Sequence, residues 1–215
     1  MKFLNANKVL CLSAHPDDAE YGALGSIMKF NETQFDVLVL SGGGDFDSTT
    51  GYSRLEECQS IWSEIPNLNG SFVKNGFIKD KTEDGWVNYI ETNFDMSSYD
   101  LILTTPPQDS HFEHRMVNQV AYALIRVSKC GVVTYRAPST LESWVPNYYV
   151  DLSNHTNSSG GIIEYAKVKL LKKFESQVDK SYFKDDSIYS FHSNYICSKT
   201  GIKFCEQFRI ERVFG

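Results

Sequence analysis

Six consecutive residues, Ser13-Ala14-His15-Pro16-Asp17-Asp18, put an imidazole, two carboxylates and a proline in one short stretch. Pro16 fixes its own backbone and bars the residue before it from helical geometry, so the turn is stiff. A stiff turn lets His15 and Asp18 converge on one point while Asp17 faces another way. A second polar cluster, Asp109-Ser110-His111-Phe112-Glu113-His114, follows later in the chain. His111 and His114 are three residues apart at the start of a predicted helix, a spacing that turns both rings to one side. Together the clusters offer His15, Asp18 and His114 as metal ligands. Two imidazoles and a carboxylate with an open position suit a catalytic zinc or a non-haem iron. Asp17 and His111 are then left as flanking acid and base groups. Taken singly, each cluster has an ordinary reading, the histidines as caps or solvated groups and the Asp-Asp pair as turn chemistry. Their joint placement at strand ends favours chemistry.

The elements around them supply that placement. Val9-Leu10-Cys11-Leu12 reads as a buried strand, and residues 19–30 as a helix with Tyr21, Leu24, Ile27 and Met28 on one face. The first cluster thus lies between a strand and a helix, the usual ligand crevice of an open α/β sheet. Residues 35–40 form a second apolar run, closed by Ser41-Gly42-Gly43-Gly44. These glycines lack the lysine and spacing of a phosphate-binding loop, so a plain loop is favoured over a phosphate cradle. Helices are predicted over 52–65, 86–94, 162–174 and from the second cluster through Ser128. Strands are predicted over 71–73, 99–105, 132–135 and 148–150, with 206–214 as an edge strand. The alternation implies an α/β fold with a Rossmann-like, doubly wound, mostly parallel sheet, in a single domain over residues 1–215.

The 215 residues carry a formal net charge of −6 without a long basic run, which leaves a nucleic-acid role no electrostatic footprint. Lys167, Lys169, Lys172 and Lys173 read as a solvated helix face. The five cysteines are scattered and unpaired in spacing, which argues against a disulfide framework or a thiolate zinc site and for a reducing compartment. Asn5, Asn7 and Lys8 interrupt any signal-peptide core, and no apolar run is long enough to span a membrane. The expected location is the cytoplasm. His155 and His192 read as surface or structural. Trp144, Tyr148 and Tyr149 are candidates for a sugar-stacking wall, with core packing the competing reading.

The sequence resembles the LmbE/PIG-L zinc-dependent de-N-acetylases. The resemblance rests on Ala14-His15-Pro16-Asp17-Asp18-Ala19-Glu20 and His111-Phe112-Glu113-His114-Arg115. It continues in Arg54-Leu55-Glu56-Glu57, Pro138-Ser139-Thr140, 145–152 and Ser176-Gln177. It implies that His15, Asp18 and His114 hold zinc, that Asp17 is the general base, and that His111 stabilises the oxyanion or donates a proton. It further implies that Arg54 helps hold substrate, although alone Arg54, Glu56 and Glu57 read as a surface ion-pair set. Glu113 stands where the family commonly has Asp, as a carboxylate orienting a ligand histidine.

The expected function is hydrolysis of an N-acetyl group from an amino-sugar, N-acetylglucosamine-type derivative, a small-molecule substrate, with zinc or iron as cofactor. The rivals are metal-dependent hydrolysis of another amide or ester, and a sugar- or nucleotide-binding module without catalysis. Substrate choice is expected from the loops 42–52, 74–84 and 138–147, and the sequence leaves a homo-oligomer open.

Overall fold

The computed structural model describes residues 1–42, 49–73, 82–126, 128–193 and 199–213, with backbone alone over 49–53. Gly43 and Gly44, most of the predicted 42–52 and 74–84 loops, and Cys197 lie outside the described residues. The strands are β1 (Lys8–Ser13), β2 (Gln34–Val39), β3 (Leu68–Phe72), β4 (Leu101–Thr104), β5 (Gly131–Tyr135), β6 (Tyr148–Asp151) and β7 (Cys205–Arg212). The helices are α1 (Asp18–Lys29), α2 (Thr49–Trp62), α3 (Glu83–Asn93), α4 (Phe112–Leu124), α5 (Ile163–Leu171) and α6 (Asp185–His192).

The seven strands form one sheet in the order β3-β2-β1-β4-β5-β7-β6. β1 pairs in parallel with β2 and β4, β2 with β3, and β4 with β5. Only β7 runs against its neighbours, β5 and β6. A strand buried on both faces reads as a continuous apolar run, and β1 shows why. Val9 and Cys11 enter the core on one face, with α1, α2 and α5. Leu10 and Leu12 enter the core on the other, with α3 and α4. The doubly wound α/β expectation holds, in one domain.

Several expectations are corrected. The C-terminal strand is not an edge; β7 sits between β5 and β6. Alternation reports which residues are buried, not which strands lie on either side. Lys167 is not on a solvated face. It is fully buried, donates to the Tyr21 carbonyl at 2.6 Å and pairs with Glu206. Burial lowers its pKa, and Glu206 opposes that. The Glu206 carboxylate also accepts from the backbone N–H groups of Gly25 and Ser26, both at 2.7 Å. Helical periodicity cannot register a carboxylate that arrives from a distant strand. Cys11, Cys58 and Cys130 are buried free thiols, whereas Cys205 is disulfide-bonded. Trp144 is buried and donates its indole N–H to Thr134, and Tyr148 packs on Phe3 and Phe208. Trp144 is buried and Tyr148 half-buried against the core, and neither lines the cleft described below. Among the described residues, no helix is long and apolar enough to cross a membrane.

Gly22 sets how closely α1 approaches β5. A Cβ there would stand 2.4 Å from Tyr135 Cδ2 and 2.8 Å from the Arg136 carbonyl. Helix propensity alone favours Gly22→Ala by about 1 kcal/mol. Overpacking against fixed backbone costs about 1–3 kcal/mol. Gly22→Ala should therefore lower the urea midpoint, and a more stable variant would show that α1 can shift freely.

Candidate active site

The strand order reverses between β1 and β4, and the carboxyl ends of neighbouring strands at such a reversal frame a crevice. The β1–α1 turn brings His15, Asp17 and Asp18 to it, and the β4–α4 connection brings Asp109, His111, Glu113 and His114. Local bonds fix each turn. Ser13 Oγ donates to the His15 carbonyl at 2.7 Å, and the His15 N–H donates to Asp18 Oδ2 at 2.8 Å. On the other side, Thr105 donates to the His114 carbonyl at 2.8 Å and the Asn118 amide to the Thr105 carbonyl at 2.8 Å.

Three side-chain atoms converge. His15 Nδ1 lies 3.2 Å from His114 Nε2, His114 Nε2 lies 3.2 Å from Asp18 Oδ2, and His15 Nδ1 lies 3.3 Å from Asp18 Oδ2. Three donors bound about 2.0–2.1 Å from a tetrahedral zinc stand roughly 3.3–3.4 Å apart, so this triangle has the size of one face of such a site. His15, His111 and His114 form a looser set, with ring nitrogens within 4.8 Å of one another. The tighter set, which includes a carboxylate, fits a divalent cation better.

The outer ring nitrogens are also engaged. His15 Nε2 meets Glu113 Oε2 at 2.5 Å. His114 Nδ1 meets Asp109 Oδ2 and Ser139 Oγ, each at 3.1 Å. A carboxylate behind each imidazole fixes ring orientation and leaves the inner nitrogen as a donor. The sequence reading missed Asp109 and Ser139. Both stand in stretches already singled out, the second cluster and Pro138-Ser139-Thr140, but their shared partner His114 could be seen only in three dimensions.

The electrostatics follow the geometry. Burial works to raise Asp18, but His114 and His15 outweigh it and hold the carboxyl well below its usual range. Burial works to lower His114, but Asp18 and Asp109 raise it to about 10. His15 is raised in the same way, burial opposing and Asp18 with Glu113 prevailing. His111 stands at the N-terminal boundary of α4 without a side-chain capping bond and packs edge-on against His15 with centroids 4.6 Å apart. Burial, then repulsion from His15 and His114, pushes it below the ordinary histidine value.

Asp17 is buried with φ at 117°, a left-handed backbone uncommon outside glycine. Its N–H donates to Glu20 Oε2 at 3.2 Å, and Arg54 donates to its Oδ2 at 2.6 Å. Burial raises Asp17 to about 6 against the pull of Arg54. Arg54, buried and also bonded to the Pro16 carbonyl, holds the Asp17 turn rather than a surface ion-pair set. His155 is exposed, and His192 is buried with Nδ1 against the Cys205 carbonyl at 3.1 Å. Neither joins the site.

All six residues singled out in the sequence, together with Phe112, Glu113, Ser139, Gln177, Lys180 and Tyr182, line one open cleft of about 770 Å³. A Rossmann-like domain with metal-ligand residue types gathered at its strand reversal has the layout of an enzyme crevice. The chain belongs to the PIG-L family, the GlcNAc-PI de-N-acetylases, whose model matches residues 10–125, and so is a hydrolase of amide bonds. No protein of curated function matches it in sequence. Solved structures share the fold. N,N'-diacetylchitobiose deacetylase from Pyrococcus horikoshii superposes with a TM-score of 0.74 at 18% identity, over 98% of this chain and 85% of that one. The A40926 pseudoaglycone deacetylase Dbv21 gives 0.69 at 13% identity, over 97% and 99%. GalB, the 4-carboxy-2-hydroxymuconate hydratase from Pseudomonas putida KT2440, gives 0.66 at 15% identity, over 100% and 99%. The fold therefore hosts more than one reaction, and the site residues must carry the assignment.

His114 lies above its ordinary value in the metal-free fold, so its ion pairs stabilise fully below about 6.5 and lose that contribution as pH rises through about 10. Asp109→Asn should lower the His114 titration midpoint by about 1–3 pH units, read from imidazole proton shifts in metal-free protein. An unmoved midpoint would remove Asp109 from the charge network.

Proposed function

We propose that the protein is a zinc-dependent hydrolase that removes the N-acetyl group from an amino-sugar derivative of the N-acetylglucosamine type. The observation that carries it is the triangle of His15 Nδ1, Asp18 Oδ2 and His114 Nε2, 3.2–3.3 Å on a side. These three would hold the metal, with Glu113 and Asp109 fixing the two rings. Two imidazoles and one carboxylate match zinc chemistry, and ferrous iron is the alternative ion for the same set. Zinc, when bound, lowers the pKa of a water and polarises a carbonyl.

The chain's own groups do the proton work. Asp17 takes the proton of the attacking water and delivers it to the departing amine. Burial makes it a stronger base than an ordinary aspartate, while a value of about 6 leaves it ionised at neutral pH. Arg54 fixes that carboxylate at 2.6 Å and, from the cleft wall, faces the polar groups of the substrate. His111, pushed toward its neutral form, offers a ring N–H to the oxygen that gains charge as the carbonyl is attacked. The amino-sugar substrate is supported by the family's description and by the chitobiose deacetylase that shares the fold.

The test measures metal content and acetate release from N-acetylated sugars on the same preparation. Asp17→Asn should keep the metal and lose about 10²–10⁴-fold in kcat. His114→Ala should lose the metal as well as turnover. An active, metal-replete Asp17→Asn enzyme would remove Asp17 as the base, and a wild-type protein inert toward every N-acetyl sugar would overturn the substrate assignment.

A further inference from the structure

Phe112 is the first residue of α4, between His111 and Glu113, and its side chain lines the same cleft as the metal-ligand triangle. It is 64% exposed, and among the described residues it belongs to neither hydrophobic core. A single exposed apolar side chain is ordinary on an open surface; what sets Phe112 apart is its place in the wall of the cleft that His15, Asp17, Asp18, His111 and His114 also line.

The backbone that carries the ring and the cation beside it are both held in place. The His111 N–H donates to Asp109 Oδ1 at 2.8 Å, which sets the start of α4. The Arg115 guanidinium lies over the Phe112 ring, 5.8 Å from its centroid. That guanidinium is pinned by the carbonyls of Asp109 and Ser110, at 2.7 and 3.0 Å. A charged plane therefore backs the ring while much of its surface stays open. Gln177, Lys180 and Tyr182 line the same cleft and bring hydrogen-bonding groups.

We propose that Phe112 is the stacking platform for the pyranose ring of the substrate, and so a specificity-determining residue. This rests on the deacetylase reading and deepens it. A pyranose presents an apolar C–H face and a polar hydroxyl rim, and an aromatic plane beside hydrogen-bonding side chains matches both. Phe112 lines the same cleft as Asp17 and His111, so a sugar seated on its ring occupies the space that those two groups also border. Trp144 and Tyr148 do not line this cleft; the first is buried and the second is half-buried against Phe3 and Phe208.

The test compares wild type, Phe112→Ala and Phe112→Trp, all metal-replete. Acetate release is measured from N-acetylglucosamine and from N-acetylethanolamine, an amide without a ring. Calorimetric binding of glucosamine, which has no acetyl group, gives a readout independent of turnover. In Phe112→Ala the ratio of sugar to ringless kcat/KM should fall about tenfold, glucosamine should bind about tenfold more weakly, and Phe112→Trp should restore both. Equal losses on both amides, or glucosamine binding alike in wild type and Phe112→Ala, would overturn the platform while leaving deacetylation standing. A wild-type protein that binds no glucosamine also overturns it; if that protein cleaves only non-sugar amides, the amino-sugar reading falls separately.

Discussion

The Asp18 carboxylate is the point on which the site depends. Its Oδ2 lies within hydrogen-bonding distance of the His15 backbone N–H, His15 Nδ1 and His114 Nε2. A buried carboxylate is costly unless it is fully partnered. Here the partners come from two connections widely separated in sequence, which meet only because β1 and β4 are adjacent in the sheet. The pairing of these strands thus determines whether the triangle of His15, Asp18 and His114 exists at all.

The neighbouring carboxylate is managed differently. Asp17 adopts a strained backbone, a conformation that costs of order 1–3 kcal/mol unless the surroundings impose it. Glu20 accepts its N–H and also accepts from the Trp62 indole at 2.6 Å, and Arg54 grips its carboxylate. The ring of Trp62 lies where any side chain on Gly70 would be, since a Cβ there would come within 1.7 Å of it. Further along α1, the Lys167–Glu206 pair grips the helix backbone at Tyr21, Gly25 and Ser26. The helix that carries both aspartates is therefore held at its start and along its length by buried polar groups. Such groups specify one arrangement because every alternative leaves charge unpaired.

Adjacent carboxylates in one turn thereby acquire opposite characters. Asp18, between two imidazoles, is held ionised and suited to bind a cation. Asp17, with one arginine and little solvent, is raised toward neutrality and suited to move a proton. Different environments for like groups are how one site runs metal binding and acid–base chemistry together.

The layered fold, and the gathering of the two polar clusters at one crevice, were legible in the sequence because both rest on local signals. His15, Asp17, Asp18, His111 and His114 lie in two compact clusters, and the apolar runs and helical stripes follow from periodicity within a few residues. What the sequence could not show were partners far apart in the chain. Asp109 and Ser139 behind His114, Glu206 against Lys167, the interior place of β7 and the burial of Trp144 each depend on which strands lie side by side. Phe112 reads as one more apolar residue in a helix start until the fold leaves it outside both cores. The sequence by itself determined which titratable residues stand in the two clusters and the order of elements; the tertiary structure decided which charges are paired and which surfaces stay open, because burial and pairing depend on distances between segments that chain spacing does not set.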